Sequence, residues 1–347
     1  MALFSRASST VGLDIGSGYL KAVVINHDSG HPVLERVAIA PVADDAIVEG
    51  EVMDPQLVSD AVRDLLSRAQ IKTKHVVVAV GGRDVIIKKI LMDRMKETEA
   101  REVIRWEADQ HVPFDPENVE LDFQILDPDG DGLQMQVLLV AAKRELVESK
   151  LAMLGEIGLD AKVIDVEAFA LHNAFERNYP EAMRGVVALA NIGHETTVVN
   201  LLEDGVPVLT RDIPVGVRRL REDLQRERGM AADEADKILR SGNTDPALTP
   251  HVTARGEEIA LGIERAAAFL QTSGKPAGQL ARVYLTGGGS RVPGLGEVLA
   301  DRLRVQVSAA HPLERLDVAP DAFDGLSMDE VAPLLMLPVG LALRAAS

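Results

Sequence analysis

Residues 11–25 read VGLDIGSGYLKAVVI. An apolar run leads into Asp14-Ile-Gly-Ser-Gly18, and a second apolar run, with Lys21 inside it, leads out. That order predicts two strands joined by a tight turn. Glycines in the turn let backbone N–H groups approach a ligand closely, and phosphate is the usual anion for such a cradle. Asp14, at the end of the first strand, is placed to hold a hydrated divalent ion that bridges phosphates. An ordinary hairpin carries the same pattern, so the reading depends on what the rest of the chain adds.

Working outward, residues 32–41 (PVLERVAIAP) predict a third strand, 55–70 a helix capped by Asp54, and 75–80 (HVVVAV) a buried strand closed by Gly81-Gly82. The opening pattern then returns. Residues 186–191, the Ile192-Gly193 turn and 194–202 form strand, turn and strand, and 205–214 predicts the third strand. Asp14-Ile15-Gly16 aligns with Asn191-Ile192-Gly193, Pro32-Val33-Leu34 with Pro207-Val208-Leu209, and Pro41-Val42 with Pro214-Val215, roughly 175 residues apart. A duplicated unit predicts two similar lobes whose turns point into a shared cleft. The second copy continues with helices at 215–228, 231–241 and 250–271 and a strand at 281–285. The glycine turn Thr286-Gly287-Gly288-Gly289-Ser290 follows, then a helix opened by Pro293 and running to Arg304, and a strand at 306–308. The apolar segment 331–345 predicts a last helix packed back on the fold.

Between the copies the texture changes. A strand at 85–92, a helix at 97–111 carrying Trp106, strands at 120–126 and 133–142 and a helix at 144–157 predict an inserted subdomain. A short strand at 161–165 and a helix at 166–179 bearing Glu167 lead to the second copy. Asp127, Asp129 and Asp131 alternate as early calcium-loop ligands do, but the twelfth position is Leu138, so a plain hairpin turn is expected. Trp106, the sole tryptophan, is expected to anchor the core of the insert; the competing reading lets its helix and strand 85–92 line a groove for a partner.

Composition narrows the classes. The 347 residues are 46% hydrophobic and 26% charged, enough for a large core in two or more lobes. A net charge of −17 and 3% aromatic residues argue against nucleic acid. The absence of cysteine excludes a disulfide framework, a thiolate metal site and a cysteine nucleophile. No run reaches about eighteen apolar residues and residues 1–9 lack the apolar core of a signal peptide, so a cytoplasmic protein is expected, held at a membrane only through partners. No GxxxxGK[ST] motif occurs, which excludes a P-loop ATPase.

Two glycine hairpins, a helix between the lobes with an acid near its start, and a strand ending in GGG together resemble the actin-like ATPase superfamily. The resemblance implies an α/β fold of two duplicated RNase H-like lobes with an inserted 1C subdomain of the FtsA type. Asp14, Gly16, Ser17, Gly18 and Lys21 match its first phosphate loop, and Asn191, Gly193, Glu195 and Thr196 occupy the second. Gly287, Gly288, Gly289 and Ser290 match the adenosine loop, which Val292 continues, while Glu234 and Lys237 lie where relatives contact the nucleoside. Within the superfamily, VIRWEADQHVPFDPENVELDFQIL (103–126) and DVEAFALHNAF (165–175) are similar to the PilM family of type IV pilus assembly. The implied division is 1–82 for the first part of lobe one (1A), 83–160 for the insert (1C) and 161–185 for the connecting strand and helix of 1A. Residues 186–330 form lobe two (2A, with a nucleoside-contacting 2B), and 331–347 the returning C-terminal helix.

The same resemblance implies ATP with Mg²⁺ between the lobes, Asp14 organising the metal, and a groove near the insert for the cytoplasmic N-terminal tail of the inner-membrane protein PilN. Other pilus assembly proteins and self-association are further partners on this reading. Asn191 departs from the pattern: an acid is usual there, and an amide hydrogen-bonds water but supplies no negative charge. Nucleotide binding with weak or absent hydrolysis is therefore expected, with Glu167 and Asp14 as the catalytic candidates. The expected function is a nucleotide-responsive scaffold. The competing readings are a filament-forming ATPase like FtsA and, less favoured, a small-molecule kinase of the same fold.

Overall fold

The computed structural model describes residues 9–28, 30–243, 245–272 and 278–344. The readings made on residues 1–8 and 345–347 lie outside the described residues. The first hairpin is β1 (Ser9–Ile15) and β2 (Tyr19–Asn26), followed by β3 (Val33–Pro41), a small ribbon of β4 (Ile47–Val48) and β5 (Glu51–Val52), helix α1 (Pro55–Arg68) and β6 (His75–Val80). Asp54 Oδ1 accepts from the Leu57 N–H at 3.0 Å, which caps α1 where Pro55 enters it. The insert contributes β7 (Val85–Asp93), α2 (Glu97–His111), β8 (Val119–Ile125), β9 (Gln134–Lys143) and α3 (Arg144–Ile157), after which β10 (Asp160–Val166) and α4 (Glu167–Asn178) return to the first lobe. The second lobe has β11 (Val186–Ile192), β12 (Thr197–Glu203), β13 (Val206–Ile213), α5 (Val217–Arg228), α6 (Ala232–Arg240), α7 (Thr249–Thr272), β14 (Leu280–Thr286), α8 (Leu295–Leu303) and β15 (Gln306–Ala309). The chain ends with β16 (Asp317–Val318), α9 (Met328–Val331) and α10 (Met336–Leu343).

The two large sheets share one plan. In the first the order is β10-β6-β1-β2-β3-β16, and in the second β13-β12-β11-β14-β15. Each has two antiparallel hairpin pairs beside two parallel pairs, and the first adds a third parallel pair where β16 meets β3. The central strands β6 and β11 are apolar almost throughout because both faces are covered. The spaced correspondences in the sequence are these matching strand orders. The two-residue β16, which crosses back from the second lobe to pair with β3, was not foreseen.

Helix α10 wedges against β1 and α4. A Cβ on Gly340 would lie 1.7 Å from the Ala170 carbonyl oxygen, and one on Gly12 2.2 Å from that of Pro338. Residues 331–344 are not one helix: Pro333 lies in a 3₁₀ turn (Ala332–Leu334), and α10 starts only at Met336. Pro338 is tolerated there because the first helical N–H groups have no intrahelical acceptor. Pro293 likewise opens no helix; Gly294 takes φ +85° and α8 begins at Leu295.

In the insert, α2 covers one face of the sheet β7-β9-β8, packing Ala100, Ile104 and Ala108 on Ile90, Met92, Val137 and Leu139. Ile87 and Leu138, on the opposite face, meet Ala168 of α4. Helix α3 packs elsewhere, sending Met153 and Leu154 into the layer that α1 builds on the first sheet. The expected core role of Trp106 is overturned: it is 79% exposed. It stands two residues beyond the buried Ile104, about 200° round the helix, on the solvent side. Leu91 of β7, 53% exposed, lies on the sheet face away from α2. The Asp127 turn is a hairpin clasp: Arg94 donates to its carboxylate at 2.8 Å, and the Gln136 N–H at 2.7 Å. That backbone donor, followed by Arg94, holds the Asp127 carboxyl below its usual range. Among the described residues no three His, Cys, Asp or Glu side chains are grouped to hold a metal ion.

Candidate functional site: the cleft between the two sheets

A cavity of about 490 Å³ opens between the lobes, lined by the β1–β2 turn, the β11–β12 turn, the start of α4 and the loop after β14. The first wall follows from strand register. Asp14 pairs with Lys21 across the β1–β2 hairpin, and the buried Asp14 carboxylate accepts from the Lys21 ammonium. Gly16, Ser17 and Gly18 line the cavity between them. Gly18 has no room for a side chain, since a Cβ would stand 2.8 Å from that of His194. The two turns therefore touch.

On the second wall Asn191 is the penultimate residue of β11, beside Val198 of β12 and Thr286 of β14. The Gly193 N–H donates to the Thr196 carbonyl at 2.8 Å and tightens the turn. Gly287, at φ +80°, lies against Asn191: a Cβ there would sit 2.5 Å from the amide oxygen. Gly287, Gly288 and Val292 reach the cavity with Asn191, Gly193, Glu195 and Thr196. Gly289 and Ser290 do not. Gly289 is buried against Ile192, and the Ser290 hydroxyl is used inside the loop, donating to the Gly287 carbonyl at 2.7 Å. Glu234 and Lys237 are exposed on the outer sides of α6; its cavity-facing residues are Asp236, Leu239 and Arg240. The Arg240 guanidinium lies 5.8 Å from the centroid of the Tyr19 ring.

Three further charges meet at the inner end, and the sequence singled out only Glu167. It begins α4 and leans over Gly81. Its carboxyl is pushed up to about 7, first by the enclosing protein and then by the Asp14 charge, with Lys150 acting against the shift. Lys150 comes from α3, where enclosure lowers its pKa and the charges of Glu167 and Asp14 oppose that. Asp212, near the end of β13, also lines the cavity, and burial raises its pKa. Among the described residues none of the three has a hydrogen-bond or salt-bridge partner for its side chain, whereas Asp14 and Lys21 hold each other. A lysine on the apolar stripe Leu146, Met153 and Leu154 was a readable signal for Lys150; Asp212 had none.

At the mouth, ion pairs cross from lobe to lobe. Arg218 of α5 meets Asp45 of the first lobe at 2.8 Å and, within its own lobe, Glu195 at 3.0 Å, and Arg221 meets Asp44 at 3.3 Å. The other Glu195 oxygen accepts from the Glu49 N–H at 2.6 Å. Enclosure, and next the Arg221 charge, lower the pKa of His194 behind this seam. A second hollow, about 680 Å³, lies within the insert among Arg94, Met95, Lys96, Phe123, Pro128 and Met135. Among the described residues no helix is long and apolar enough to cross a membrane.

Comparison with known proteins bears on this geometry. The sequence model of the type IV pilus assembly protein PilM family matches residues 12–346. A solved PilM–PilN type IV pilus biogenesis complex contains a chain 29% identical, with a TM-score of 0.84, covering 99% of this chain and 100% of that one. The ethanolamine utilization protein EutJ from Carboxydothermus hydrogenoformans is 19% identical, with a TM-score of 0.57 over 96% of this chain and 89% of its own. MreB 5 of Spiroplasma citri, solved bound to AMPPNP, is 13% identical, with a TM-score of 0.51 over 97% and 95%. The last two share the fold alone, which is that of the actin-like ATPases.

Proposed function

The chain belongs to the type IV pilus assembly protein PilM family, and from that premise we propose that it is a nucleotide-responsive scaffold that binds the N-terminal tail of PilN. The observation that carries the partner half is the likeness, over 99% of this chain, to the chain of a PilM–PilN complex. The nucleotide half rests on the cleft. Its volume of about 490 Å³ is in the range of small-molecule sites. Two glycine turns offer backbone N–H groups, and Lys21 and Lys150 offer cationic charge, a donor set that suits the phosphates of ATP.

Asp14 is the residue we assign to Mg²⁺, through the ion's water shell. Bound Mg²⁺ would neutralise phosphate charge. Glu167, with a pKa of about 7, matches what a general base at neutral pH needs. Asn191, a neutral amide on the opposite wall, argues for slow turnover or none. Gly287, Gly288 and Val292 are assigned to the nucleoside side.

In this reading nucleotide closes the lobes on each other and alters how the insert is presented to the tail. Such coupling requires the tail to bind the open and closed forms with different affinity. The tail would hold the protein at the cytoplasmic face of the inner membrane. Titration of a synthetic PilN-type N-terminal tail with and without MgATP tests the scheme. Binding that changes with nucleotide is expected, and no binding under either condition removes it.

A further inference from the structure

We propose that Lys150 is a ligand of the nucleotide's phosphate tail, so that α3 links the filling of the cleft to the insert. The proposal rests on the nucleotide reading above and adds a residue and a route to it. Lys150 lines the same cavity as Lys21, but the two lysines differ in how their charge is met. Lys21 donates to Asp14. Among the described residues the Lys150 ammonium has no carboxylate within salt-bridge distance, although Glu167 and Asp14 act on it from further away. A cation held in protein surroundings without a direct partner is costly, and an anion entering the cleft offsets that cost.

Lys150 is half-buried and reaches the cavity. It lies on the inward stripe of α3, between Leu146, which also lines the cavity, and the buried Met153 and Leu154. Those two residues fix the helix on α1 and the first sheet. The other end of α3 is fixed to the insert, because Arg144 follows β9 without a loop and β9 is the central strand of the insert sheet. A salt bridge of 2.6 Å from Lys143 to Asp84 pins that junction to the start of the insert. A pull on Lys150 at the phosphates therefore acts on a rigid element that continues into the insert's central strand. No other helix of the cleft has that continuity.

The test is calorimetric titration of MgATP into the wild-type chain, Lys150→Met and Lys150→Arg, with thermal melting of each without nucleotide. The expected result is a loss of affinity of about tenfold or more in Lys150→Met, substantial recovery in Lys150→Arg, and melting temperatures no lower than wild type. Wild-type binding with Lys150→Met unchanged within about twofold overturns the role of Lys150 and leaves the nucleotide reading standing. Equal loss in both variants with lowered melting temperatures assigns Lys150 to structure and overturns it too. Failure of the wild type to bind MgATP overturns the nucleotide reading and this proposal together. Hydrogen exchange of the wild-type chain needs no variant: MgATP should slow exchange along residues 144–157, and an unchanged rate there overturns the link to the insert.

Discussion

A Cβ on Gly81 would stand 2.5 Å from the carboxyl carbon of Glu167. The residue after β6 and the first residue of α4 thus compete for one space, and the glycine yields it. Gly81 does not use the left-handed region, so alanine fits its backbone and would restrict the unfolded chain. Its methyl group would push the flexible Glu167 carboxylate outward into the cavity. At pH 4, where Glu167 is largely protonated in both states, Gly81→Ala should change stability by less than about 1 kcal/mol, while moving the Glu167 titration from about 7 toward the ordinary carboxylate range and so raising stability at pH 8 relative to wild type. Carbon-detected NMR titration of Glu167 checks this, and an unmoved midpoint would show that the carboxylate has room elsewhere.

The same carboxyl sets a pH dependence. Its pKa is raised in the folded state from the usual 4.5 to about 7, so between those values the native protein holds a proton that the unfolded chain has released. Stability therefore falls as pH rises from 4.5 to 7 and levels off above it. The displacement corresponds to roughly 3 kcal/mol at most. Glu167→Gln should be more stable than wild type at pH 8 and about equal to it at pH 4, in denaturation without nucleotide. Asp212→Asn, by removing one of the charges that raise Glu167, should shift the wild-type profile to lower pH.

Two glycines on helices should respond in opposite ways. Gly340 of α10 meets the Ala170 backbone, where a Cβ would lie 1.7 Å from the carbonyl oxygen, while Gly155 of α3 has nothing within 4 Å of its Cβ position. Gly340→Ala should force α10 off α4 and cost about 3 kcal/mol or more. Gly155→Ala should gain about 0.5–1 kcal/mol from helix propensity. Urea denaturation of both variants measures the contrast.

These residues also mark what was legible beforehand. The two hairpins and their third strands were readable because turn chemistry and alternation are local signals, and the GGG loop marked the wall opposite Asp14. The inner end of the cleft was not. Lys150 and Asp212 belong to no motif, and they meet Glu167 only because α3, β13 and α4 converge in space. On α6 the helix was foreseen but not its rotation, so Glu234 and Lys237 were named where Asp236 and Arg240 face inward. Pro293 read as a helix start because the left-handed turn at Gly294 depends on packing that a propensity rule does not contain.

The seam at the cleft mouth should be weak in free energy yet decisive for closure. Asp44 and Asp45 are largely exposed, and exposed pairs contribute about 0–1 kcal/mol. Arg218→Ala should therefore lower global stability by less than about 1 kcal/mol. It also removes the partner that one Glu195 oxygen and Asp45 share across the lobes. Hydrogen exchange along residues 42–50 should then quicken, and in the wild type it should quicken with added salt, which screens the pairs. An Arg218→Ala variant with unchanged exchange there would mean that the Glu49–Glu195 and Arg221–Asp44 contacts hold the seam without Arg218.

Trp106 supplies an internal reporter for the partner scheme. A buried tryptophan replaced by alanine costs about 3–5 kcal/mol, but this side chain is 79% exposed. Trp106→Ala should cost no more than about 0.5 kcal/mol, and the wild-type fluorescence should be red-shifted and readily quenched by iodide. A large apolar side chain on the outer side of α2 is also available to an incoming chain. If the PilN-type tail docks across that side of the insert, its titration will shift the emission to the blue and protect it from iodide, and Trp106→Ala will weaken the tail. If the tail binds with the emission and quenching unchanged, the docking surface lies off the outer side of α2. The sheet face carrying Leu91, which is turned toward α4, is then the place to substitute next.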